Sequence, residues 1–98
     1  MKQLEKTFIG KGQVRGFRFT LIQKNGKAYV YQVDTGDSTH YEVFRHRENE
    51  RFDCVTYPSD KAFGLWAKTS TTMSDAIDNY EYFTDQAELN AKKGEVDG

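Results

Sequence analysis

The chain of 98 residues has a single cysteine, a single proline and only two histidines, and each scarcity excludes something. Cys54 alone cannot close an internal disulfide, so packing must hold the fold, and such usage fits a reducing compartment. His40 and His46 share a strand parity, but their spacing spreads them about 20 Å along an extended strand at ~3.3 Å per residue. One ion cannot bridge that gap, even with Asp53 added, so no metal is expected. No run approaches the ~18 apolar residues of a membrane span. Met1-Lys-Gln-Leu-Glu-Lys6 lacks the apolar core of a secretion signal. A cytoplasmic protein without membrane contact or cofactor is the expectation.

Catalytic arrangements are equally scarce. No serine or cysteine stands in an order with histidine that implies a nucleophile and its base, and no paired carboxylates sit in an apolar context. Gly10-Lys-Gly-Gln-Val-Arg-Gly16 has the glycine density of a phosphate loop. The residues after it read as a strand, so no helix N-terminus would meet the phosphate. A tight connection or β-bulge suits those glycines better. Arg45 as a cross-strand neighbour would favour a Cys54 thiolate, although a buried strand cysteine usually packs as a small apolar residue. The chain reads as non-enzymatic.

What is present is β pattern and aromatic surface. Aromatics make up 14% of a chain that is 30% charged, so rings must carry much of the burial. Alternating runs flank Asn25-Gly26, a pair that reaches the φ > 0 of a type I′ turn readily. Strands are expected over 7–10, 14–24, 27–34, 39–47 and 52–57, where Pro58 ends the last, and residues 62–68 are a sixth strand or an ordered loop. Thr72 is an N-cap candidate with Asp75 three residues on. Met73, Ala76, Ile77, Tyr80 and Phe83 then adopt helical spacing, predicting a helix over 73–85. The reading is a single α+β domain spanning 1–98: an antiparallel meander of four to six strands with one C-terminal helix on one face. Its ordered core covers about 7–90, and 91–98 form a disordered tail.

Register turns this pattern into faces. A two-residue turn at Asn25-Gly26 sets Leu21 opposite Val30, and turns at Gly36-Asp37 and Asn49-Glu50 set Val43 opposite Val30 and Thr56, and Phe44 opposite Tyr29 and Val55. One face then gathers Phe17, Phe19, Leu21, Val30 and Val43 as the core beneath the helix. The other gathers Arg18, Ile22, Tyr29, Tyr31, Phe44 and Tyr57, which is too apolar for a wet sheet face. One helix cannot cover both. Residues 58–70 with Phe63, Leu65 and Trp66 could fold back over the second face, or a second copy or a partner could cover it. The reading adopted is a contact surface of Tyr29, Tyr31, Phe44 and Tyr57 with Arg18 at its edge, for a protein partner or homo-oligomer.

Charge offers an alternative. Residues 1–70 carry 12 Lys/Arg against 8 Asp/Glu, and residues 71–98 carry 2 against 7. Arg15, Arg18, Lys24, Lys27, Arg45, Arg47 and Arg51 beside those rings combine cations with stacking surfaces, as single-strand nucleic-acid binders do. Over residues 15–83, a sheet leading into Thr72-x-x-x-Ala76-Ile-x-x-Tyr80 loosely resembles the AP2 and integrase arm-binding domains. That likeness implies DNA read with the sheet, although their DNA-facing strands are denser in arginine. Tyr29-Val-Tyr-Gln-Val33, His40-Tyr-Glu-Val-Phe44 and Ala62-Phe-Gly-Leu-Trp-Ala67 resemble short uncharacterised proteins of gut Bacteroidota, their phages and conjugative elements. This second likeness implies a mobile-element setting, where small accessory proteins bind or inhibit host proteins.

Overall fold

The computed structural model describes residues 1–90, together with the backbone of a final helix that runs to Asp97. In chain order the elements are β1 (Thr7–Ile9), β2 (Arg18–Lys24), β3 (Ala28–Asp34), β4 (Thr39–Arg45), β5 (Glu48–Asn49), β6 (Cys54–Val55), β7 (Ala67–Ser70) and α1 (Met73–Asp97). Five strands form one antiparallel sheet in the order β1-β2-β3-β4-β7, and β5 and β6 form a separate two-stranded hairpin. The fold is α+β, with one helix packed on one sheet face. The backbone of α1 runs through residues 91–97 of the expected tail, and Gly98 lies outside the described residues.

β3 is the centre of the molecule because its residues are apolar on both sides. Ala28 and Val30 face α1, whereas Tyr29, Tyr31 and Val33 face the opposite layer. Its pairing with β4 has the expected register, with Val30 opposite Val43 and Tyr29 opposite Phe44. On the helix side, Ala28, Val30 and Val43 bury Ala76, Tyr80 and Phe83, with Tyr41 beside them. Thr72 caps the helix as expected, its Oγ1 accepting the Asp75 N–H at 3.1 Å. Asn79 Nδ2 donates to Ser70 Oγ at 2.8 Å, and Asn25 Nδ2 to Thr84 Oγ1 at 2.9 Å, so both ends of the packed stretch are tied to the sheet.

Two features depart from the sequence reading. The first hairpin turns over four residues, not two. Asn25 Oδ1 accepts the N–H groups of Lys27 and Ala28 at 2.9 and 3.0 Å, and only Gly26 has φ > 0. Lys24 therefore opposes Tyr29, and a bulge between Leu21 and Gln23 absorbs the extra residue. Leu21 pairs with Tyr31 instead of Val30, and Phe19 with Val33. One inserted residue flips side-chain parity, so Phe17, Phe19 and Leu21 belong to the layer opposite the helix, not beneath it.

The second departure is the strand beside β4. Residues 52–57 do not extend the meander. β7 takes that place, with Ala67 opposite Phe44 and Lys68 opposite Val43. After Arg45 the chain leaves the sheet, and the β5–β6 hairpin folds over the aromatic layer, where Val55 is buried. Cys54 therefore faces Asn49, not Arg45. The uncertain stretch 59–71 resolves into a short 3-10 turn at Asp60–Ala62 and then β7.

Candidate binding groove

The layer away from the helix is an aromatic core. Tyr29 is 3% exposed, and Tyr31 and Phe44 are fully enclosed. Tyr29, Phe44 and Tyr31 stack in a row, with centroids 5.2 and 5.8 Å apart. Tyr57 stands edge-on to Phe8, Phe19, Tyr31 and Phe44 at 4.8–5.5 Å. Leu4, Val55, Ala62, Phe63 and Trp66 close over these rings. The lid thus includes part of the 58–70 segment, as the self-coverage alternative has it, although Leu65 is 77% exposed and takes no part.

Of the five surface residues named from the sequence, Tyr29, Tyr31 and Phe44 are therefore interior, and in a single chain they present nothing to a partner. Their rings are equally out of reach of a nucleic-acid base. Arg18 is exposed at the start of β2, opposite Ile9 of β1. Tyr57 is half-buried and reaches a large opening in this layer.

That opening is a groove of about 760 Å³. One wall is the N-terminal arm, Lys2 to Glu5; a second is Phe8 to Lys11 with Val14; the third is Tyr57, Pro58, Asp60 and Phe63. Glu42, Cys54, Val55 and Phe19 complete the lining. The arm is held by Tyr31, whose hydroxyl donates to the Glu5 carbonyl at 2.6 Å, and by Lys2, whose N–H donates to the Asp53 carbonyl at 2.8 Å. Gly10 is required where β1 meets the next turn, because a Cβ there would overlap the Val14 carbonyl oxygen. That contact brings Val14 back against the strand. Ile9 and Val14 stay substantially exposed at the rim.

The polar groups around the groove are mutually engaged. Tyr57 Oη donates to Glu42 Oε1 at 2.6 Å, and His40 Nε2 lies 3.4 Å from Glu42 Oε2. Burial, then the adjacent Glu42 carboxylate, pushes the Tyr57 hydroxyl far above its ordinary value, so it remains a proton donor. Away from the groove, Tyr29 Oη and His46 Nδ1 are 2.8 Å apart, and His46 Nε2 lies 2.8 Å from Glu48 Oε2. Burial and then Glu48 raise the Tyr29 hydroxyl. The two histidines thus serve separate pairs, and among the described residues no three His, Cys, Asp or Glu side chains converge as metal ligands. No helix is long and apolar enough, among those residues, to cross a membrane.

Leu4, Ile9, Val14 and Phe63 line the groove without having been singled out from the sequence as site residues. The available signal was apolar side chains in short, otherwise polar segments. Four separate stretches must meet before those residues form one surface. No protein-family profile, no curated protein and no solved structure matches this chain.

Proposed function

We propose that this chain is a small non-enzymatic interaction protein that binds a partner protein through the groove beside β1. The accessory proteins of phages and mobile elements, some of them inhibitors of host proteins, are the class this reading places it in. The observation that carries it is the groove itself: apolar walls from Leu4, Ile9, Val14, Pro58 and Phe63, open to solvent beside a sheet whose Tyr29, Tyr31 and Phe44 are enclosed. Apolar recesses with a polar rim are what peptide-binding surfaces offer. The reading keeps the protein partner expected from the aromatic content but moves the contact from the sheet face to the sheet edge. The nearest titratable groups support binding over chemistry, because Glu42 and Tyr57 satisfy each other and the Tyr57 proton is held tightly.

Selection from a displayed random-peptide library tests this reading. Peptides with apolar anchors should be enriched, and Val14→Asp, which places a charge on an exposed groove wall, should weaken them tenfold or more, about 1.4 kcal/mol. Its melting temperature should stay near that of the parent. Failure to enrich any peptide, or affinity indifferent to Val14→Asp, would remove the groove as the functional surface.

A further inference from the structure

The edge of β1 specifies how a partner would sit in this groove. β1 pairs on one side only, with β2. Leu21 N–H donates to the Lys6 carbonyl at 2.7 Å, and Gly10 N–H to the Phe17 carbonyl at 2.8 Å. In an antiparallel pair, residues that bond across the ladder alternate with residues that do not. Lys6, Phe8 and Gly10 therefore point their backbone groups at β2, and Thr7 and Ile9 point theirs outward. No other described residue bonds to the N–H or C=O of Thr7 or Ile9. An exposed row of such groups is a template for one more strand. The groove shares this edge, since Phe8, Ile9 and Gly10 line it.

Charge narrows the occupant. Residues 1–18 carry Lys2, Lys6, Lys11, Arg15 and Arg18 against the single acid Glu5. All five cations are exposed, and none forms an ion pair among the described residues. Glu5, Glu42 and Asp60 line the groove beside Lys2 and Lys11, with Glu42 taken up by Tyr57, so the five cations outnumber the acids around this edge. That excess beside an apolar recess is complementary to an acidic peptide with apolar anchors. A second copy fits poorly: pairing β1 with β1 would oppose the same five cations. The acidic excess of the chain lies from residue 71 onward, which is largely helix and not an extended segment. A nucleic acid would satisfy the cations but neither the outward backbone groups nor the apolar walls, and Tyr29, Tyr31 and Phe44 are enclosed.

We infer that the Thr7–Ile9 edge takes an extended acidic-apolar segment of a partner protein as an added strand, with alternate side chains entering the groove. This rests on the groove reading above and deepens it. The test uses the full chain and four probes: an octapeptide alternating Val/Ile with Asp/Glu, the same peptide with Lys for the acids, the acidic peptide N-methylated at alternate amides, and a single-stranded oligothymidine. The acidic peptide should bind; the Lys version and the N-methylated version should each bind at least tenfold more weakly. Binding should slow amide exchange at Thr7 and Ile9. Ile9→Pro should weaken the acidic peptide similarly, since it removes an outward donor and leaves the β2 ladder intact. N-methylation is the arm that survives if that variant folds poorly.

Equal binding of the N-methylated peptide, with loss in Val14→Asp, would overturn strand addition while leaving the groove reading standing. Equal binding of the Lys peptide would overturn the acidic preference. Failure of the acidic peptide, while library-selected peptides still bind, would likewise sink this inference alone. Tighter binding of oligothymidine, falling steeply with salt, would replace the peptide partner with a nucleic acid.

Discussion

Tyr31 joins the core to the rim of the groove. Its ring is enclosed between Phe44, Phe8 and Tyr57, and its hydroxyl holds the Glu5 carbonyl of the N-terminal arm. Burial first, then the charges of Tyr29 and Glu5, pushes that hydroxyl up to about 12. An unfolded tyrosine titrates near 10. The folded state therefore holds this proton more tightly, so the contribution is fully present below pH ~10 and lost as pH rises through about 12. Melting temperature should fall across that window, with phenolate absorbance from the buried tyrosines appearing together with unfolding. Phenolate formation by all tyrosines in the intact fold would contradict the burial described. Phe44→Ala removes a fully buried ring and should cost about 3–5 kcal/mol by urea denaturation. A partner-facing Phe44 would instead lose affinity and little stability, so this measurement separates the sequence reading from the structural one.

At the scale of elements, local chemistry was legible and long-range competition was not. The β3–β4 register could be read because Thr35-Gly36-Asp37-Ser38 sets a turn between two strongly alternating strands. The start of α1 could be read because a Thr cap precedes a helical apolar stripe, and Thr72→Ala should cost ~1 kcal/mol in thermal unfolding. β2 was misassigned because a bulge leaves the spacing of Phe17, Phe19 and Leu21 unchanged while turning that stretch to the other face. Nothing in those residues announces the four-residue turn that requires it. β6 and β7 are both short and apolar enough to pair with β4. Which one wins depends on the β5–β6 hairpin closing over the aromatic layer, a contact between distant segments. Gly10→Ala tests the junction that seats Val14 against β1. It should lower both stability and peptide affinity, whereas Gly12→Ala, with open space around the added Cβ, should change the packing of that wall much less despite its left-handed backbone.

Across the whole molecule, one sheet separates two unlike cores. The helix side is small and aliphatic except for Tyr41, Tyr80 and Phe83, and the opposite side is a block of stacked rings under a lid of irregular chain. The half-apolar second face was legible in the sequence, and so was the need for something to cover it. The cover proved to be intramolecular, which moves the exposed apolar surface from the middle of the sheet to the edge of β1. That relocation is the central claim. Amide chemical-shift mapping of the acidic octapeptide on the isotopically labelled chain tests it most directly. The account predicts the largest shifts at Thr7, Ile9 and Lys11, with smaller ones at Val14 and Phe63 and none at the exposed face of α1. Shifts centred on α1 or on the exposed turn around Phe52, with residues 7–14 unmoved, would contradict it.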